Sequence, residues 1–203
     1  MKYVISRYNH DVSWLSDYTD DFVMYDRSEL PLEGTIVVPN IGSDIYDKFT
    51  YIIDNYDDLP DVAVYTKANI FKYISKEEFD RIKDNTTFTP IFTLGHTVYE
   101  PICRYNKESG MYEEINNFWY LTGHRPKNEQ AVEELSDLLE LRNLQYVPFA
   151  PGSNYILPKE NILKHSKEFY EKLRSYLAWD IYPGEAQIME RGLYLLWHIP
   201  QSQ

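Results

Sequence analysis

Short strand-like runs that stop at polar clusters, alternating with segments of helical apolar spacing, constrain this chain most. Lys2 to Ser6 reads as a buried strand that runs straight into Arg7, Tyr8, Asn9, His10 and Asp11. Val12 to Tyr18 reads as a short helix. Asp21 to Tyr25 and Thr35 to Pro39 read as further strands, the second rich in β-branched residues. From Ser43, apolar residues fall at Ile45, Phe49, Ile52, Ile53 and Tyr56. That spacing lines one helix face, with Ser43 or Asp44 as N-cap. Val62 to Thr66 is another buried strand, and Ser75 with Glu78 forms a capping box opening the helix "SKEEFDRIKDN". Such alternation specifies an α/β sandwich around a mostly parallel sheet.

Thr86 to Tyr120 is less regular. "TVYEPICRYNKESGMYEEI" reads as two strands joined by a turn at Ser109-Gly110, an antiparallel insertion. Helix returns at Glu129 to Leu141, "SNYIL" is a strand, and "KENILKHSKEFYEKLRSYL" is helical with a break near Ser166. The last helix opens at Pro183, a favourable first-turn position. The 203 residues suffice for one sizeable core, so residues 1–203 are expected to form a single domain.

Composition narrows the partners. A formal net charge of -12 argues against nucleic acid, because phosphate neutralisation needs clustered Lys and Arg. A single cysteine, Cys103, excludes an internal disulfide framework and fits a reducing compartment. No apolar run approaches the length of a membrane span, and the expectation is a cytoplasmic protein. Nineteen tyrosines and four tryptophans suit pockets for sugars and bases, although any individual ring is more often a core residue.

The polar clusters then ask what ligand they serve. Strand ends recur at "RYNHD", at "PNIGSD" (Pro39 to Asp44) and at "TKAN" (Thr66 to Asn69). If these strands are parallel neighbours, the three loops open on the ligand-binding edge of the sheet. Together they offer Arg7 and Lys67 for negative charge, and Asn9, Asn40 and Asn69 for hydroxyls or base edges. Tyr8 can stack on a base, and Gly42 permits close backbone approach at a helix start, where an anion is favoured. Any one loop reads better as ordinary helix capping. Three in succession point to a nucleotide-diphosphate site.

"ISRYNHDVSWL" and "VPNIGSDIYDKFTYIIDNYDDLPDVAVYTKAN" resemble an uncharacterised domain family. Its members carry an Arg-Tyr-Asn-Glu-Asp-x-x-Trp-Leu opening, an Asn-x-Gly-x-Glu motif and a Tyr-Ile-Ile-x-x-Tyr-x-x-Leu-Pro-Asp segment. "FAPGSNYILPKENILKHSKEFYEKL" and "PGEAQIMERGLYLLW" are similar to its closing motifs, so the resemblance spans nearly the whole chain. The family in turn resembles glycosyltransferases of the A-type fold. The resemblance implies a single Rossmann-like domain that moves a sugar from a nucleotide-diphosphate donor, a UDP-sugar being favoured, to a glycan or other hydroxyl acceptor. It also places the last helix against the donor, making Glu185 and Glu190 the candidate catalytic carboxylates, with a helix-start acid and an ion pair to Arg191 as their respective structural alternatives.

The departures bear on the cofactor. The family's acidic residue after Tyr-Asn is His10 here, followed by Asp11, and its Asn-x-Gly-x-Glu ends in Asp44. A-type glycosyltransferases usually hold manganese or magnesium on an Asp-x-Asp, which this sequence lacks. Either the metal rests on scattered groups such as Asp11, Asp44 and Asn69, or Lys67 and Arg7 neutralise the diphosphate themselves. His96, His124, His165 and His198 lack the spacing of a metal site. The competing expectation is a non-catalytic nucleotide- or sugar-binding module of the same fold.

Overall fold

The computed structural model of the chain describes residues 1–93 and 102–199. Four strands of its larger sheet are parallel: β1 (Lys2–Arg7), β2 (Phe22–Asp26), β3 (Ile36–Val37) and β4 (Val62–Lys67). Helix α1 (Ser43–Asp54) crosses between β3 and β4, and α2 (Lys76–Ile82) follows. β5 (Thr89–Pro90) lies at the far edge of the sheet. β6 (Cys103–Asn106) and β7 (Met111–Ile115) form a hairpin, followed by α3 (Glu129–Leu138) and β8 (Tyr146–Pro148). β9 (Tyr155–Pro158), α4 (Lys159–Ile162), α5 (Lys167–Ser175) and α6 (Gly184–Trp197) complete the described elements.

The six-stranded sheet has the order β3-β2-β1-β4-β9-β5, with β9 antiparallel to β4 and to β5. A separate antiparallel sheet has the order β6-β7-β8. The expected insertion is therefore a sheet of its own, completed by β8 from beyond α3. The expected start of its first strand, before Ile102, lies outside the described residues, as does His96.

Alternation along the strands sets the layers, because successive side chains point to opposite faces. Val4, Ala63, Tyr65, Tyr155 and Leu157 share a core with Phe49 and Ile52 of α1, Leu173 of α5 and Trp197 of α6. Tyr3, Ile5, Val64 and Ile156 belong to a second core with Leu15, Ile70 and Phe79 of α2. The sheet is thus covered on both faces, as parallel strands require. No helix of the described residues is long and apolar enough to cross a membrane.

Helix ends follow the sequence with one instructive difference. Ser75, Asn128 and Ser166 cap α2, α3 and α5 by accepting from Glu78, Ala131 and Phe169 backbone N–H groups. α1 begins otherwise: its N-cap is Gly42 at φ +67°, with no side-chain cap, rather than Ser43 or Asp44. A Cβ on Gly42 would lie 2.8 Å from Tyr46 Cβ and 2.9 Å from Leu177 Cβ. The glycine lets the end of α5 pack against the start of α1.

Candidate functional site

Strand order reverses at β1: the chain runs outward through β2 and β3, then returns through α1 to β4 on the other side. The carboxyl ends of β1 and β4 therefore flank a topological switch point, where open α/β sheets bind ligands. A cleft opens there, lined by Arg7, Tyr8, Arg27, Asp44, Lys67 and Asn69 among others.

The cleft floor is a chain of buried ion pairs. Arg7 Nη1 donates to Asp26 Oδ2 at 2.7 Å and to Ser28 Oγ at 2.7 Å, across the register pair that joins β1 and β2. Arg27 binds Asp47 of α1 through two bonds, Nε to Oδ2 at 2.8 Å and Nη2 to Oδ1 at 2.7 Å. Asp44 accepts from Lys48 Nζ, from Ser153 Oγ at 2.5 Å and from Ser43 Oγ at 3.0 Å. Lys67 Nζ at the end of β4 lies 3.2 Å from Oδ1, the oxygen that Ser43 also reaches. Four basic side chains thus meet three carboxylates, although burial and the neighbouring Lys67 lower the Lys48 ammonium. Burial works to raise the Asp44 carboxyl, but Lys48 and Lys67 overcome it and hold the group well below the ordinary range. Burial works to lower the Lys67 ammonium, and Asp44, Tyr73 and Glu190 together raise it. Lys67 stays charged, with its side chain 24% exposed to the cleft.

A second, larger cleft of about 490 Å³ shares Ser43, Lys67, Tyr73 and Tyr182 with the first. Its remaining wall includes Trp119, His124, Phe149, Gln187, Glu190 and Arg191. Glu190 accepts from Gly152 N–H at 2.7 Å and pairs with Arg191 Nη1 at 2.9 Å. Arg191 also reaches Gln187 Oε1 at 3.0 Å and, across to β7, Glu114 Oε1 at 3.0 Å. Glu114 is itself held by the Trp119 indole N–H at 3.0 Å. This network fixes the Glu190 carboxylate against the loop that leads into β9.

The sequence-based candidates separate accordingly. Arg7, Tyr8, Asn40, Asp44, Lys67 and Asn69 line the first cleft, and Glu190 lines the second. Glu185 does not reach either. Its carboxylate is buried, accepting from Lys127 N–H at 2.7 Å and Trp179 Nε1 at 3.2 Å, so it pins the loop before α3 to the start of α6. Gly42 offers no amide to an anion, since its N–H goes to Asp180 O at 2.8 Å and that of Ser43 to Ile181 O at 3.1 Å. Asn9, at φ +55°, serves the turn: its N–H donates to Ser28 Oγ at 2.8 Å. Asp11 is exposed and accepts from Ser13 N–H at 3.1 Å and Ser13 Oγ at 2.6 Å. Those bonds hold its carboxyl below the ordinary value.

The metal expectation for Asp11 and Asp44 does not fit these surroundings. Asp44 spends its acceptor sites on two ammonium groups and two hydroxyls, and Asp11 is absent from the cleft lining. Among the described residues no group of three or more His, Cys, Asp or Glu is placed to hold a metal ion. His165 stacks on Phe169 and His198 on Tyr194, while His124 lines the second cleft.

Sequence reasoning missed Arg27, Asp47 and Lys48. A signal for the first was present: β2 runs from Met24-Tyr25 into Asp26-Arg27-Ser28, the same strand-to-polar switch that marks Arg7. Asp47 and Lys48 fall between the apolar positions of α1 and carry no local signal of their burial. A family profile described as a protein of unknown function (DUF3431) matches residues 3–201. No curated protein and no solved structure matches the chain.

Proposed function

The chain belongs to the DUF3431 family, and on that premise we propose that it is a glycosyltransferase acting on a nucleotide-diphosphate sugar, with UDP-sugars favoured. The observation that carries the reading is the pair of adjoining clefts: an electropositive one at the switch point and one with a held carboxylate, sharing the Lys67 wall. The diphosphate lies beside Lys67, and the base rests on the exposed rim against Tyr8, with Asn40 and Asn69 within the same lining. The acceptor, a glycan or other hydroxyl compound, enters the second cleft.

Transfer breaks the bond between the sugar carbon and the diphosphate oxygen, and the electron pair stays on the diphosphate. Lys67 offsets that developing charge. Glu190 takes the proton of the acceptor hydroxyl as its oxygen forms the new bond to the sugar. Glu190 replaces Glu185 in this role because it alone of the two lines a cleft.

The test is release of UDP from UDP-sugars in the presence of carbohydrate acceptors. Glu190→Gln is expected to cut turnover by about a hundredfold while UDP affinity stays within about twofold. Wild-type turnover in that variant would return Glu190 to a purely structural ion pair. UDP binding without any turnover would favour the non-catalytic binding module, which the absent Asp-x-Asp also suits.

A further inference from the structure

We infer that this cleft takes its diphosphate without a divalent cation, the ammonium of Lys67 standing where the metal's charge would act. The inference rests on the donor reading above and concerns how that site is charged. Asp44 is the carboxylate in the cleft's lining. A cation site needs oxygen lone pairs from several ligands converging on one point. Asp44 faces Lys48 and Ser153 with Oδ2, and Lys67 and Ser43 with Oδ1. Lys48 is 1% exposed, so a metal that displaced it would leave a buried ammonium without its counter-charge.

The neighbouring carboxylates are already paired. Asp26 and Asp47 are turned to Arg7 and Arg27. Glu190, in the adjoining cleft, is turned to Gly152 N–H and Arg191. The Asn69 side-chain nitrogen, Nδ2, meets His10 Nε2 at 3.2 Å across the same lining. A divalent ion entering the first cleft would instead meet three cationic residues in its lining, Arg7, Arg27 and Lys67.

Lys67 is built for the alternative. Asp44 is shared by two lysines, and of the two it is Lys67 whose ammonium is held raised, while burial lowers that of Lys48. Lys48 is the enclosed partner and Lys67 the one that reaches the cleft. The Lys67 Nζ also lies 5.3 Å from the centroid of the Tyr73 ring, which steadies it on the wall common to both clefts. Its backbone is fixed as well, since Lys67 N–H donates to Asn154 Oδ1 at 3.0 Å. An anion entering the first cleft therefore meets a fixed cation whose counter-ion is already shared.

The test is calorimetric titration of the full chain with UDP and with uridine, in EDTA and in excess manganese. UDP affinity is expected to agree within about twofold between the two buffers. Lys67→Met is expected to lower UDP affinity by about a hundredfold and uridine affinity by less than about twofold. Lys67→Arg, which keeps the charge, is expected to retain UDP binding within about tenfold. Melting temperatures of both variants separate loss of binding from loss of fold. UDP binding that appears only with manganese would overturn the inference while leaving the donor reading intact. Undiminished UDP binding by a folded Lys67→Met would overturn it too, and absence of UDP binding in both buffers would overturn inference and donor reading together.

Discussion

Glu185 and Glu190 stand on one helix, and their surroundings give them different roles. Glu185 is enclosed by two N–H donors, and Glu185→Ala would orphan both the Lys127 amide and the Trp179 indole. The expected cost is about 2 to 3 kcal/mol, read from urea unfolding; a loss under about 0.5 kcal/mol would contradict the pinning role. Asp44 gives a pH signature. Its folded-state carboxyl lies below the unfolded value, because Lys48 and Lys67 outweigh burial. The stability it contributes is therefore complete above the ordinary Asp value of about 4 and is lost as pH falls through the folded value. The stability gap between wild type and Asp44→Asn should be widest near neutrality and narrow below about pH 4. A gap independent of pH would show that the pairing with lysine contributes nothing.

At the scale of elements, α1 carries two faces that the sequence shows only in part. Its apolar spacing at Ile45, Phe49 and Ile52 announces the helix, and those residues are buried as expected. Asp44, Asp47 and Lys48 are equally buried, and no periodicity distinguishes a buried ion pair from a solvated one. The partners that bury them, Arg27, Lys67 and Ser153, come from other elements. β5 and β8, at two and three residues, are too short to show alternation, and β3, at the edge of the sheet, pairs with β2 only through Ile36 and Val37. The start of α1 depends on Gly42, where positive φ and the approach of Leu177 both exclude a side chain. Gly42→Ala is expected to destabilise the fold by about 2 to 3 kcal/mol, measured by thermal or urea unfolding. A neutral substitution would mean that α5 can move away from α1 freely.

Over the whole molecule, the position of the candidate site follows from strand order. The sequence indicated that three loops would share an edge if their strands were parallel, and the β3-β2-β1-β4 order brings them together. It did not indicate that Ser153, from the antiparallel β9 side, would donate to Asp44. Three of the five described non-glycine residues with positive φ lie around the same place, Phe118 and Glu140 lying elsewhere. Asn9, Ser43 and Ser153 all adopt φ between +55° and +58°. Each such non-glycine residue costs of order 1 to 3 kcal/mol and persists where surrounding structure enforces it, often at functional sites. Ser43 and Ser153 both donate to Asp44, so this strain positions the hydroxyls that complete the carboxylate's shell. The most direct measurement is a crystal structure of the chain with UDP, grown in EDTA. The account expects the diphosphate within hydrogen-bond distance of Lys67 Nζ and the uracil against Tyr8. UDP bound elsewhere, or ordered at this cleft with its phosphates turned away from Lys67, would contradict it.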